Sequence, residues 1–149
     1  MRTFDSYDVI VCGAGIAGSM AATAAARMGA KVLVIEEEGY PGGSMTAMGT
    51  GPMMTFHAGE KQTVCGLTDE MIERLKAKDL STGHIIDSTG YTYTVTPFSA
   101  EGMKRELEMM MLEAGAQILY HTVITGVEVK DEKIESLTCF SCGDVQGFR

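Results

Sequence analysis

The sequence predicts an α/β fold built on a parallel sheet. Three observations predict it. Residues 7–36 read YDVIVCGAGIAGSMAATAAARMGAKVLVIE, a strand–helix–strand pattern of about 30 residues. Gly13, Gly15 and Gly18 fall at the first junction with the spacing G-x-G-x-x-G. Glu36 closes the second strand, 21 positions beyond Gly15.

Val9 to Cys12 is a short apolar run with the β-branched content of a buried strand. Ile16 to Met28 is Ala-rich and favours helix, and Gly29 stands where a C-cap glycine belongs. Val32 to Ile35 is the second strand. Each glycine has a mechanical reason: Gly13 makes the tight turn, Gly15 lets a diphosphate approach the backbone, and Gly18 lets helix and strand pack closely. The opening helical residues, Ile16 and Ala17, carry free N–H groups at the positive end of the helix dipole. A carboxylate at Glu36 accepts both hydroxyls of an adenosine ribose and repels a 2′-phosphate, which suits FAD or NAD better than NADP. Val9 to Ala26 contains no charge. Its glycines, Asp5 and Asp8 before it, and the lack of a basic flank beyond Arg2 argue against both a membrane span and a signal peptide.

The chain has 149 residues, a formal net charge of −8 and 45% hydrophobic residues, enough for one domain with a sizeable core. The acidic balance argues against nucleic acid and anionic membranes as partners. Cys12, Cys65, Cys139 and Cys142 read as free thiols in a reducing, cytoplasmic setting. The 12 methionines read as adaptable core and loop filling.

Met1 to Ser6 reads as a loosely held lead-in. Pro41-Gly42-Gly43-Ser44 is an irregular turn whose backbone can approach a ligand. Met45 to Phe56 carries no charge and calls for a cover of protein or cofactor. Thr68 to Lys78 predicts a short helix capped by Thr68, with Met71, Ile72 and Leu75 as its apolar stripe. Ser81 to Ser88 reads as loop, with His84 structural. Tyr91 to Thr96 alternates like a strand that Pro97 stops. Ser99 caps a helix from Ala100 to Ala114, with Met103, Leu107, Met110 and Ala114 on one face and Gly115 beyond it. Gln117 to Tyr120 is the third parallel-strand candidate. Val127 to Lys130 and Lys133 to Phe140 predict a hairpin turning at Asp131-Glu132. Cys139-x-x-Cys142 is half a zinc site, a redox pair or two unrelated thiols; no second pair accompanies it, so the last reading is preferred and no metal is expected.

The glycine motif, Glu36, Gly42-Gly43 and the run Met53-Met54-Thr55-Phe56-His57 together resemble FAD-dependent oxidoreductases of the two-dinucleotide-binding-domain type. The likeness continues through Gly83-His84, Asp87-Ser88-Thr89-Gly90-Tyr91, Thr96-Pro97-Phe98 and His121-Thr122-Val123, up to about Glu135. The resemblance implies a Rossmann-like three-layer FAD/NAD(P)-binding fold, a parallel sheet plus a β-hairpin or meander, with FAD as cofactor and an unknown small-molecule substrate. It implies that Gly42, Gly43 and Ser44 follow the FAD pyrophosphate and that the Val123 backbone reads the adenine edge. His57 lies near flavin or substrate, or is a structural histidine bonded to a backbone carbonyl.

The family pattern also implies a longer protein, with a closing strand beside the first and a substrate domain. Gly143-Asp144 echoes the end of the closing motif, but no apolar strand is evident before it. The expectation is an N-terminal FAD-binding portion, incomplete at the C-terminus, with an exposed first strand open to a partner chain or self-association. The alternatives are an NAD-binding domain and a non-catalytic fragment. No catalytic acid or base is assigned.

Overall fold

The computed structural model describes residues 2–3, 6–141 and 144–148. Two short early strands come first, β1 (Arg2–Thr3) and β2 (Val9–Cys12). Helix α1 (Ile16–Arg27) leads to β3 (Val32–Ile35), which pairs parallel with β2 over its whole length. All four β3 residues are buried, as a continuous VLVI run requires in a sheet covered on both faces. Further on lie the two-residue strands β4 (His57–Ala58), β5 (Lys61–Gln62), β6 (Ile85–Ile86) and β7 (Thr94–Val95), with α2 (Leu67–Lys76) between β5 and β6. Helix α3 (Ala100–Ala114) then feeds β8 (Gln117–Leu119), the third parallel strand, giving the order β2-β3-β8. The chain ends in β9 (Thr122–Lys130), β10 (Lys133–Ser141) and β11 (Asp144–Phe148), a second sheet in the order β1-β11-β10-β9.

Three layers follow from side-chain alternation in β3. Val32 and Val34 face helices, in a cluster with Ala22 and Ala26 of α1 and Met111 of α3. Leu33 and Ile35 face the other way, onto Leu137 and Cys139 of β10. A separate cluster holds α2 and α3 together: Met71, Ile72 and Leu75 pack with Met103, Leu107 and Met110, and Met53 and Phe56 close it. Gly102 permits the approach of the 80–83 segment, since a Cβ there would stand 2.7 Å from Leu80 Cδ1. β2 has no strand on its outer side among the described residues, and Val9 is 36% exposed. A cavity of about 370 Å³ lies beside β2, lined by Tyr7, Val9 and Ile10 and by Ile134 and Leu137 of β10.

Several expectations change. Arg2–Thr3 is not a loose lead-in but pairs parallel with β11. The strand before the Gly143-Asp144 echo is the expected second hairpin strand, β10, which is not an apolar run, and what was not foreseen is β11, which pairs with β10 and β1 rather than beside β2. Cys142 and Gly143 lie outside the described residues, and with them the second half of the Cys-x-x-Cys pattern. Burial pushes the Cys139 and Cys12 thiols above the ordinary cysteine value, away from the reactive thiolate. Helix α2 starts at Leu67 after Gly66 with no side-chain cap, so Thr68 sits inside its first turn; Leu67 packs on the core and draws the helix back. Only Thr94–Val95 of the expected Tyr91–Thr96 strand forms. The Asp87 carboxylate gathers Thr92 N and Thr89 N, both at 2.9 Å, and those bonds curl the approach into a turn. They hold the carboxyl down to about 2. Ser99 caps α3 as expected, its Oγ accepting from Gly102 N at 3.2 Å.

A chain of ion pairs ties the helices. Arg27 meets Glu70 at 2.7 and 2.8 Å; Arg74 contacts Glu70, Glu113 and Glu106; Lys78 donates to Glu106. Glu106 is fully buried, and its Oε2 has no hydrogen bond and stands 3.8 Å from Arg74 Nη1. Both cations reach solvent, so losing the carboxylate frees them rather than stranding them. Glu106→Gln is expected to lower unfolding free energy by about 1–3 kcal/mol in a urea titration. Arg27→Ala, at an exposed pair, is expected to cost under about 1 kcal/mol.

Candidate functional site

The site forms where the β2–α1 loop meets the turn after β3. Gly13 has φ +95°, a conformation open to glycine. A Cβ on Gly18 would stand 2.0 Å from the Gly13 carbonyl oxygen, so only glycine lets α1 lie against its own loop. At Gly15 an added Cβ would meet nothing within 4 Å, so the space above this glycine is open. Gly15 is the N-cap of α1; the first turn bears no capping side chain and no acid. Its leading N–H groups, those of Ile16 and Ala17 among them, are left for an anion.

The second glycine segment packs directly on the first. Gly42 N donates to Ala14 O at 2.8 Å, Gly15 and Gly42 form a parallel bridge, and a Cβ on Gly43 would stand 3.2 Å from Gly15 Cα. Gly42 has φ +113° and opens a 3-10 turn, Gly43–Met45, with Ser44 exposed on it. Thr46, which the sequence did not single out, fixes this turn. It is buried, its Oγ1 donates to Pro41 O at 2.8 Å, and its Cγ2 occupies the place of a Gly42 side chain at 2.4 Å.

Glu36 is buried at the end of β3. Its Oε2 accepts from Ala14 N at 2.6 Å and its Oε1 from Glu38 N at 2.8 Å. A carboxylate offers about four lone-pair sites, so two remain for a ligand. Beside it opens a cleft of about 220 Å³ whose lining includes Gly13, Glu36, Thr122 and Val123. Thr122 N donates to Glu36 O at 3.0 Å and Thr122 Oγ1 to Ser141 Oγ at 2.8 Å, which locks the β8–β9 crossing against β3. His121, at φ +53°, lies against Gly39, where a Cβ would stand 2.8 Å from its ring. The fold therefore brings Gly13, Gly15, Ile16, Ala17, Gly18, Glu36, Gly42, Gly43, Ser44 and Val123 around one cradle. An extended dinucleotide fits its donor set: N–H groups and bare glycine for phosphate at the centre, a carboxylate for ribose at one end.

His57 bonds through Nδ1 to the Thr94 hydroxyl at 2.9 Å, not to a backbone carbonyl. His84 is structural as expected: Nδ1 lies 2.7 Å from Thr96 Oγ1 and Nε2 lies 3.5 Å from Asp69 Oδ1. Among the described residues, no group of three or more His, Cys, Asp or Glu could hold a metal, and no helix is long and apolar enough to cross a membrane.

The family model for FAD dependent oxidoreductases matches residues 8–147. The chain belongs to that family. Its relatives include the soluble pyridine nucleotide transhydrogenase of Hahella chejuensis, 45% identical over 65 residues, covering 44% of this chain and 14% of that protein. Digeranylgeranylglycerophospholipid reductase 1 of Methanococcoides burtonii is 27% identical and is matched over 97% of this chain and 36% of its own length. The fold is shared with a geranylgeranyl bacteriochlorophyll reductase-like protein of Thermoplasma acidophilum, at TM-score 0.61 and 18% identity over 100% of this chain and 38% of that one. It is shared too with 3-ketosteroid-Δ4-(5α)-dehydrogenase of Rhodococcus jostii, at TM-score 0.66 and 16% identity over 100% of this chain and 44% of that one. The chain thus spans about a third or less of the curated relatives named here.

Gly15 and Gly18 of the first loop are separable by experiment. Gly15→Val places its side chain in open space, so dinucleotide affinity is expected to vanish in calorimetry while far-UV circular dichroism is retained. Gly18→Val drives a side chain into the Gly13 carbonyl and is expected to lose both, with a fall in thermal midpoint measured by the same spectrometer.

Proposed function

We propose that this chain holds FAD, with Glu36 at the adenosine ribose, the Val123 backbone at the adenine edge, and the Gly13–Gly18 loop with Gly42, Gly43 and Ser44 along the pyrophosphate. The observation that carries the reading is the packing of the Gly42–Gly43 turn onto Gly15. It extends the anion cradle beyond a single glycine loop and suits a dinucleotide that continues past its phosphates. Bound flavin supplies hydride or electron transfer. The chain's own residues bind and orient: the α1 N-terminus offsets phosphate charge, Thr46 holds the turn, and Ala14 and Glu38 hold the Glu36 carboxylate. Substrate and electron acceptor belong to the whole protein. The outer edge of β2 is where a further strand, from another segment or a partner chain, completes the sheet.

The test is titration of the purified chain with FAD and, separately, with NAD. Flavin retained through gel filtration, with its visible absorbance, supports the reading; tight NAD binding without flavin binding overturns it. Glu36→Ala is expected to weaken FAD by about 1–3 kcal/mol, the cost of hydrogen bonds to a charged acceptor. Unchanged calorimetric affinity would remove Glu36 from the ribose.

A further inference from the structure

Cys12 and Cys139 lie on facing sides of the layer between the two sheets. Along β2, Val11 packs toward the helices, so Ile10 and Cys12 face the other way, and Ile10 packs on the cluster that holds Cys139. Cys12 pairs in register with Ile35, whose side chain shares that face and belongs to the same cluster as Cys139. Cys139 in turn pairs with Ile124, which lines the cleft of about 220 Å³ together with Cys12. Leu137, two positions before Cys139 on the same face of β10, lines the cavity beside β2 together with Cys12. Ile35, Ile124 and Leu137, from three different strands, are thus common neighbours of the two thiols. Burial is the main cause that raises the Cys139 thiol, and the nearby Cys12 adds to it.

The two cysteines differ in access: Cys12 is exposed and Cys139 is fully buried. An oxidant therefore meets Cys12 first, and Cys139 stands behind it as the resolving thiol. The Cys12 sulfur attacks one oxygen of hydrogen peroxide, the O–O bond breaks, and a sulfenic acid forms as the first water leaves. The Cys139 sulfur then attacks the sulfenic sulfur, the S–S bond forms, the S–O bond breaks, and a second water carries off the thiol proton. Two thiols lose two electrons and two hydrogens, and the peroxide is reduced to two waters. Burial also raises the Cys12 thiol, so the pair answers to sustained peroxide rather than to traces.

Cys12 precedes Gly13 directly and lines the cleft beside Glu36 with Val123 and Ile124. A bond from Cys12 to β10 ties the end of β2 to the β9–β10 hairpin and so joins two walls of that cleft. We propose that Cys12 and Cys139 are an oxidisable pair, and that the disulfide joining β2 to β10 hinders a dinucleotide in the cleft beside Glu36. That this dinucleotide is FAD rests on the flavin reading above; the pair itself is a property of the two sheets.

The test treats the full chain with hydrogen peroxide and maps its disulfides after chymotryptic cleavage, which parts Cys139 from Cys142 at Phe140. Linked peptides carrying Cys12 and Cys139 are expected, with a higher thermal midpoint that dithiothreitol reverses. Cys12→Ser is expected to show neither, and Cys65→Ser, at an exposed thiol before α2, to show both. In calorimetry the oxidised chain is expected to bind FAD about tenfold more weakly, the loss of roughly one hydrogen bond to the ligand. Dithiothreitol should restore the affinity, and Cys12→Ser should not respond to peroxide. A Cys139–Cys142 bond, a Cys12 link formed only between two chains, or oxidation that stops at Cys12 overturns the proposal, as does equal affinity before and after the link forms. A chain that forms the link and loses NAD affinity on oxidation, but never binds FAD, keeps the pair and defeats the flavin reading alone.

Discussion

The peptide groups of Ala14 hold the site together. Its N–H donates to Glu36 Oε2 at 2.6 Å, and its carbonyl accepts from Gly42 N at 2.8 Å and from Ser19 Oγ at 3.0 Å. One fully buried residue thereby joins the first glycine loop to the end of β3, to the second glycine turn and to the first turns of α1. Buried backbone groups must be paired, so these three partners are not interchangeable with water. The arrangement also requires the loop to lie under the helix, which the clash at Gly18 makes possible only for glycine. A phosphate placed over Gly15 therefore meets a surface already set by internal bonds.

The same bonds fix the Glu36 carboxylate at both oxygens, which accept from Ala14 and from Glu38. Each oxygen is thus oriented before a ligand arrives, which reduces the ordering cost of binding. The cost falls on tolerance: a glutamine at this place would turn an N–H pair toward one of two N–H donors. Acidity alone does not satisfy the site; both carboxylate oxygens are needed as acceptors.

Much of this was legible in the sequence because local rules and tertiary demands agree along residues 7–36. Strand, helix and strand appeared within a residue of their observed limits, and Ser99 with Gly115 bracketed α3 correctly. Where local rules compete, the reading failed. Tyr91–Thr96 alternates like a strand, but the Asp87 carboxylate captures two of its approaching N–H groups first. Ala14 and Thr46 escaped notice for different reasons. Ala14 acts through its backbone, which no side-chain pattern reveals, and Thr46 acts by filling the space that Gly42 leaves. The pairing of β1 with β11 joins residues 2–3 to 146–147, and no short-range signal encodes it.

Charge is unevenly distributed between the end of β3 and the segment that follows the second glycine turn. Glu36, Glu37 and Glu38 follow one another where β3 ends, against the β8–β9 crossing, so this side is rich in acceptors. Residues 45–56 carry no charge, and the polar groups beside them are threonine hydroxyls and imidazoles held by them. Packing explains why that segment is uncharged: Met45, Met53 and Phe56 join the α2–α3 core, and methionine fills such irregular contacts readily.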